Sequence, residues 1–263
     1  TKMKVDNMRE EHNQKVIAQS EYQSAVAADA MKKHEEEKPK NAPKKDFGFI
    51  TIAAGEGLAE IFKGLGVDEV IQGGQTMNPS TEDILNAADK INADTIFVLP
   101  NNSNIILASN QAASIIEDKK LVVIPTKTIP QGITAMINFE LTRSADENEK
   151  AMLESLSTVK SGQLTYAVRD TSIDGKEIKK DNYLGLGDKG LASVGTDMDD
   201  TLIDMLSEFV DDESELISVY YGEDIDENKA EELVSKIEEK FDGVDVELQY
   251  GGQPVYYYIV SVE

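Results

Sequence analysis

The chain has 263 residues, of which 26 are Lys or Arg and 50 are Asp or Glu, so its formal net charge is −24. This length can bury the core of one large or two modest domains, and this charge argues against nucleic acid as a partner because a phosphate backbone would be repelled. There is no cysteine, which excludes disulfides and thiolate catalysis. His12 and His34 are the only histidines, so the residues after 34 cannot form a Ser/His triad among themselves.

Residues 1–45 predict a lead-in and a linker. They contain no sustained apolar face and end in Lys38-Pro39-Lys40-Asn41-Ala42-Pro43, a stretch that cannot continue a helix. There is no initiator Met, and residues 1–5 alternate like the final strand of a preceding domain, so we expect a fragment of a longer protein. No apolar run approaches the roughly 20 residues that span a bilayer. The expectation is therefore a cytoplasmic protein without a membrane span.

Residues 46–142 predict an α/β lobe. Short apolar runs predict strands at 47–54, 68–72, 94–100 and 121–125, and the segments between and after them predict helices at 58–65, 81–91, 105–117 and 133–140. Ser80 or Thr81 is the expected N-cap of the second helix. Strands that are apolar on both faces and alternate with helices predict a parallel, doubly wound sheet.

Residues 143–263 predict a second, α+β lobe with a mixed sheet. The pattern favours helices at 145–160, 196–210 and 228–241, and strands at 162–173, 180–194, 215–224 and, as one or two strands, 244–263. Asp174-Gly175 is the expected turn between the first two strands. The order strand, helix, strand, Gly-Gly-Gln occurs at 47–75 and again at 215–253, which makes a duplication possible.

Three polar loops, at 73–80, 100–104 and 125–132, follow the second, third and fourth strands. Because the carboxyl ends of parallel strands meet at one edge of a sheet, where helix N-termini also point, we expect one site there for a ligand or a partner. Its candidate residues are neutral polar side chains, one cation and three glycines: Gly73, Gly74, Gln75, Thr76, Asn78, Ser80, Asn101, Asn102, Ser103, Asn104, Thr126, Lys127, Thr128, Gln131 and Gly132. The alternative is that these residues only build turns and caps.

Three other patterns favour structure over chemistry. Gly55-Glu56-Gly57 follows a strand, but the third glycine position of a dinucleotide fingerprint is Glu60. The acidic run at 197–204 lacks the glycine and final glutamate of a calcium loop and lies at a helix start, where it favours capping. Residues 255–262 place three tyrosines in a predicted strand, for which core packing is favoured over a partner-facing patch.

Four stretches of the sequence resemble the same family: VIQGGQTMNPSTEDIL (70–85), LPNNSNIILAS (99–109), VIPTKTIPQGITAM (123–136) and the closing YGGQPVYYYIVSVE. They look like the C-terminal region of the bacterial fatty acid kinase catalytic-subunit family, whose members are also labelled dihydroxyacetone-kinase-like or DAK-phosphatase proteins. The resemblance covers about residues 1–10 and 47–263. It implies that a kinase domain holding ATP and magnesium, and a middle domain through which any dimerisation would occur, lie outside this chain.

The resemblance implies a docking and regulatory region that recruits a fatty-acid-binding partner protein, whose acyl carboxylate the distant kinase domain phosphorylates. On this hypothesis the chain itself holds no catalytic residue, no cofactor and no metal. The alternative is a small-ligand site, for phosphate or an acyl group, in a sensor domain or in a hydrolase of the dihydroxyacetone-kinase-like type.

Overall fold

The structure is a computed structural model that describes residues 44–74, 77–173 and 176–263, and residues 44–263 form one compact unit. The predicted lead-in, up to residue 43, and the predicted Asp174-Gly175 turn lie outside the described residues. The strands are β1 (Lys45–Ala53), β2 (Glu69–Gln72), β3 (Ala93–Leu99), β4 (Lys120–Val123), β5 (Lys160–Tyr166), β6 (Thr171–Ile173), β7 (Lys176–Ile178), β8 (Tyr183–Gly187), β9 (Gly190–Gly195), β10 (Leu216–Tyr221), β11 (Asp245–Tyr250) and β12 (Tyr258–Val262). The helices are α1 (Glu56–Gly64), α2 (Thr81–Lys90), α3 (Ser103–Ile115), α4 (Ile129–Ile137), α5 (Ala145–Ser155), α6 (Met198–Phe209) and α7 (Glu227–Lys240).

The first sheet confirms the predicted parallel architecture. Its order is β2-β1-β3-β4 and all its neighbouring strands are parallel. Ile50 and Ile96 face α2 and α3, whereas Phe49 and Phe97 face α1, α4 and α5. Because helices cover both faces, the strands must be apolar on both faces, which is why the sequence shows continuous apolar runs here.

The second sheet confirms the predicted mixed sheet. Its order is β11-β10-β12-β5-β8-β9, in which β10 and β11 are parallel and the other pairs are antiparallel. α6 and α7 cover one face, where Met205 and Leu233 pack against Val219 and Val260. β6 and β7 pair with each other as a separate two-stranded sheet.

One hydrophobic cluster joins the two sheets. Tyr220 of β10 and Ile259 of β12 point away from α6 and α7 and pack in the same cluster as Phe97, Ile133 and Met152. A side-chain hydrogen bond of 3.0 Å from Thr134 of α4 to Glu263 lies at the same junction. Residues from both sides of position 142 contribute to this core. The predicted lobe boundary at 142–143 stays a prediction.

Several predicted boundaries are wrong for local reasons. α4 begins at Ile129, not at 133, because Thr128 caps it and Pro130 is tolerated in the first turn, where no backbone donor is needed. The predicted strand 162–173 is broken between β5 and β6, and the strand 180–194 is a hairpin, β8 and β9. Of the three tyrosines at 256–258, only Tyr258 lies in a strand, because Val255 turns the chain with a φ of 72°.

Candidate functional site

The polar loops meet at the carboxyl edge of the first sheet, as their positions after parallel strands predict; we call this region the loop edge. Asn102, from the loop after β3, donates a side-chain hydrogen bond to the carbonyl of Gly74, in the loop after β2. The backbone N–H of Asn101 donates to Thr126 Oγ1, in the loop after β4, at 2.9 Å. These two bonds link all three loops.

Asn101 is the centre of the loop edge, and it is buried. Its side-chain amide donates to Thr51 Oγ1 at 2.8 Å and to the carbonyl of Ile52 at 3.0 Å. Its φ of 54° lies in the left-handed region, which asparagine tolerates better than most residues. A Cβ at Gly132 would lie 2.9 Å from Asn101 Cγ, so only glycine fits there without a shift. Asn101 thus ties β1, β3 and α4 together.

The loop after β4 is organised by a helix cap. Thr128 Oγ1 accepts a hydrogen bond from the backbone N–H of Gln131 and lies 2.8 Å from Ser161 Oγ of β5. Gln131 in turn accepts from the backbone N–H of Lys127 at 2.8 Å. The Lys127 side chain is exposed and has no ion-pair partner among the described residues.

Most of the predicted site residues therefore have structural tasks. Ser80 forms a capping box with Asp83 at the start of α2, and Asn102 Oδ1 accepts from the backbone N–H of Asn104 at the start of α3. Gln75 and Thr76 lie outside the described residues. Four exposed side chains make no side-chain hydrogen bond within the described ranges: Asn78, Ser103, Asn104 and Lys127. Binding by any member of the predicted set stays a prediction.

The loop between β11 and β12 is a neighbour of the loop edge that the sequence did not predict. The carbonyl of Gly251 accepts from the backbone N–H of Leu58 at 2.9 Å, at the start of α1. A Cβ at Gly55 would lie 2.7 Å from Gln253 N, and one at Gly57 would lie 2.7 Å from the carbonyl carbon of Tyr250. Gly55-Glu56-Gly57 is thus a close-packing element. The repeated Gly-Gly-Gln was the one signal in the sequence that pointed to this loop.

Gln253 lies buried behind this contact. Its side-chain amide donates to the carbonyl of Tyr220 at 2.8 Å. Its Oε1, like Asn101 Oδ1, has no hydrogen-bond partner among the described residues. Burial raises the pKa of Tyr220 to about 12, so this tyrosine remains neutral at physiological pH. Gln253 and Tyr220 belong to the junction between the sheets.

The acidic run at 197–204 has the capping role that its position favours. Asp197 accepts from the backbone N–H of Asp200 at 3.0 Å and N-caps α6, and Asp199 forms an ion pair of 2.6 Å with Lys236. Within the described ranges, three or more metal-ligating side chains nowhere gather as a metal site would require. Nor does any helix there combine the length and apolarity needed to cross a membrane.

Two curated relatives are similar to the whole chain. Protein YloV of Bacillus subtilis strain 168 and the protein SAR1202 of Staphylococcus aureus strain MRSA252 are each 44% identical to it over 262 residues. The match covers 100% of this chain and 45% of each relative. The chain therefore spans a little under half of the length of these relatives.

Solved structures with the same fold come from the DegV group. A DegV family protein of Corynebacterium glutamicum has a TM-score of 0.60 at 13% identity and covers 82% of this chain and 96% of its own. A DegV lipid-binding protein of Thermotoga maritima has a TM-score of 0.59 at 12% identity. The fatty acid kinase B3 protein of Streptococcus pneumoniae, loaded with linoleic acid, has a TM-score of 0.55 at 12% identity. Each match covers 83% of this chain and 99% of the other.

These structures contradict the prediction of a docking and regulatory region. Several solved proteins that share this fold are described as lipid-binding or fatty-acid-binding proteins. The docking hypothesis is therefore wrong.

The model of the FakA-like C-terminal family of fatty acid kinase proteins matches residues 48–263. This match bears out the part of the resemblance that concerns the C-terminal region, whereas the dihydroxyacetone-kinase-like label stays a prediction. The chain belongs to the FakA-like C-terminal family.

Proposed function

We propose that residues 44–263 form a domain that binds a long-chain carboxylic acid with its carboxylate at the loop edge. The observation that carries the proposal is the exposed Lys127 ammonium, which pairs with no described carboxylate. It lies on the same sheet edge as the N-terminus of α3, where the side chains of Ser103 and Asn104 make no hydrogen bond with a described residue. The DegV-type fold supports it, because solved proteins of this fold are described as binding fatty acids.

The chemistry of the loop edge suits a carboxylate. An ammonium group forms a charge-assisted hydrogen bond with a carboxylate, and the N-terminus of α3 adds the exposed side-chain donors of Ser103 and Asn104 and the positive end of its dipole. The net charge of −24 acts in the opposite direction and repels an anion from a distance. Most of the binding free energy must therefore come from burial of the hydrocarbon chain.

Apolar groups lie next to the polar loops. A Cβ at Gly74 would lie 3.6 Å from Ile52 Cγ2 and 3.7 Å from Ile105 Cδ1, so this loop rests on the apolar core. Met77, whose carbonyl accepts from the backbone N–H of Gly74, is 71% exposed. Met77 offers an acyl chain a flexible, polarisable contact beside the carboxylate site.

Family membership also supports an association with a fatty acid kinase system, and the partner we propose is a separate fatty-acid-binding protein. We also propose that the longer protein has an ATP- and magnesium-dependent kinase activity. That activity would lie outside this chain, which spans only 45% of the length of its relative. A cytoplasmic location likewise stays a prediction.

Calorimetric titration of the full chain with oleate, below its micelle concentration, tests the proposed function. We expect saturable binding, and weaker binding of oleyl alcohol, which lacks the carboxylate. Lys127→Ala removes a charge-assisted bond of roughly 1.5 to 3 kcal/mol, so oleate binding should weaken about 10- to 100-fold. Unfolding should be unchanged because the side chain is exposed.

Lys63→Ala is the matched control. Lys63 is an exposed lysine in the last turn of α1, so its loss changes the net charge equally without touching the loop edge. It should leave the oleate affinity within about twofold of the original value. Oleate that does not bind, or that binds both variants equally, would contradict the proposed site.

A further inference from the structure

A cleft of about 480 Å³ lies outside the loop edge, between α7 and β11. β11 is an edge strand of the second sheet, with β10 as its neighbour. Val246 and Leu248 of β11 and Val234 of α7 form its apolar wall. The remaining lining groups are two aromatic rings, two carboxylates and one hydroxyl.

The aromatic rings belong to a cross-strand pair. Tyr221 of β10 and Tyr250 of β11 are partners in the parallel register, and their ring centroids are 5.2 Å apart at an interplanar angle of 55°. Tyr221 is buried, whereas Tyr250 is 47% exposed. Both rings line the cleft.

The carboxylates face the same space. Glu227 and Glu231 are one helical turn apart on α7 and are both exposed. Like charges at this spacing destabilise a helix. Neither forms an ion pair with a described residue, and no described lysine or arginine lines the cleft. Burial, and after it the negative charge of Glu227, raises the pKa of Tyr221.

We propose that this cleft binds an organic cation, a guanidinium or alkylammonium group on a hydrocarbon stem. The cation would lie against the rings of Tyr221 and Tyr250, where the ring quadrupole attracts positive charge. Glu227 and Glu231 would supply the counter-charge, and Val246 and Leu248 would contact the stem. An anion is excluded from the cleft by the same carboxylates.

Titration of the full chain with L-argininamide, followed by calorimetry and by ¹H–¹⁵N chemical shifts, tests the proposal. Citrullinamide, which has nearly the same shape and the same α-amino group but a neutral urea in place of the guanidinium, is the matched ligand. We expect saturable binding of argininamide, at least about tenfold tighter than that of citrullinamide, with the largest shifts around Tyr250 and α7. Equal binding of the two ligands, or no saturation, would overturn the proposal.

Variants separate the cleft from general attraction to an acidic surface. Glu231→Gln and Tyr250→Leu should each weaken argininamide binding about 3- to 10-fold. Glu232→Gln removes the same charge from an exposed residue that does not line the cleft, and it should change the affinity less than twofold. If Glu232→Gln is as harmful as Glu231→Gln, the binding is non-specific. Glu231 is exposed, so its variant stays informative even if Tyr250→Leu fails to fold.

Discussion

Asn101 and Gly132 show how single residues fix the loop edge. Asn101 combines a left-handed backbone with a buried amide that bonds to two residues of β1. Gly132 lets α4 approach that amide closely. Both residues are candidate ligand contacts in the sequence, yet in the structure the Asn101 amide bonds to β1 and Gly132 packs against that amide.

Gly132→Ala should therefore destabilise the protein by about 1 to 3 kcal/mol, because the new methyl group would overlap Asn101 and force a shift. Gly64→Ala is the matched control: it also places a methyl group in a helix, but nothing lies within 4 Å of the new Cβ. Urea unfolding should show a lower midpoint for the first variant and an unchanged or higher one for the second. Equal midpoints would mean that the contact with Asn101 relaxes without cost.

Side-chain caps mark where most of the described helices begin. A side chain caps the N-terminus of every described helix except α1, through Ser80, Asn102, Thr128, Ser144, Asp197 and Asp226. The N-cap residue of α1 is Gly55, which has no side chain to cap the helix, and the carbonyl of Gly251 accepts from the backbone N–H of Leu58. The chain thus uses a distant loop where the local sequence has no cap.

The capping box of α5 gives a pH prediction. Hydrogen bonds from the Ser144 side chain and backbone lower the pKa of Glu147 below its usual 4.5. A lowered pKa in the folded state means that this stabilisation is present above about pH 4.5 and is lost as pH falls through the folded value. Ser144→Ala removes the largest cause of the shift. We expect its thermal midpoint to fall less steeply than that of the original protein between about pH 5 and pH 3.

Ser157→Ala is the comparison for this measurement. The Ser157 hydroxyl donates to a carbonyl near the other end of the same helix and does not contact Glu147. Its pH profile should run parallel to that of the original protein. A parallel profile for Ser144→Ala as well would contradict the assignment of the pKa shift to this cap.

Elements with a local cause were predictable from the sequence, and long-range contacts were not. The cap at Ser80 and the parallel strands follow from residue patterns within a few positions. The early start of α4 was missed because Pro130 was interpreted as part of a loop. The break after β5 has no comparable local signal, whereas Pro254 directly precedes the turn at Val255. The packing of Gly55 against Gln253 depends on residues almost 200 positions apart.

At the scale of the whole molecule, the shared core determines how the protein unfolds. Tyr220 and Ile259 of the second sheet pack with Phe49 and Phe97 of the first, whose rings are stacked 5.6 Å apart. Two sheets that bury one continuous cluster cannot separate without exposing it to water. The two sheets should therefore unfold together.

Tyrosine fluorescence makes that expectation measurable. The chain has no tryptophan, and all of its tyrosines after residue 43 lie at or after residue 166, in the region of the second sheet. Unfolding followed by tyrosine fluorescence and by far-ultraviolet circular dichroism should give coincident midpoints. Ile259→Ala should lower both midpoints together and cost about 2 to 5 kcal/mol. Separate transitions would show that the sheets are independent.

β12 has a consequence for folding during synthesis. Within five residues it directs Ile259 into the core shared by the sheets and Tyr258, Val260 and Val262 into the core beneath α6 and α7. All of β12, up to Val262, must therefore have left the ribosome before either core can close. Until then, part of the apolar face of the four-stranded sheet would remain exposed to water. Nascent chains that end before β12 should therefore be bound by chaperones.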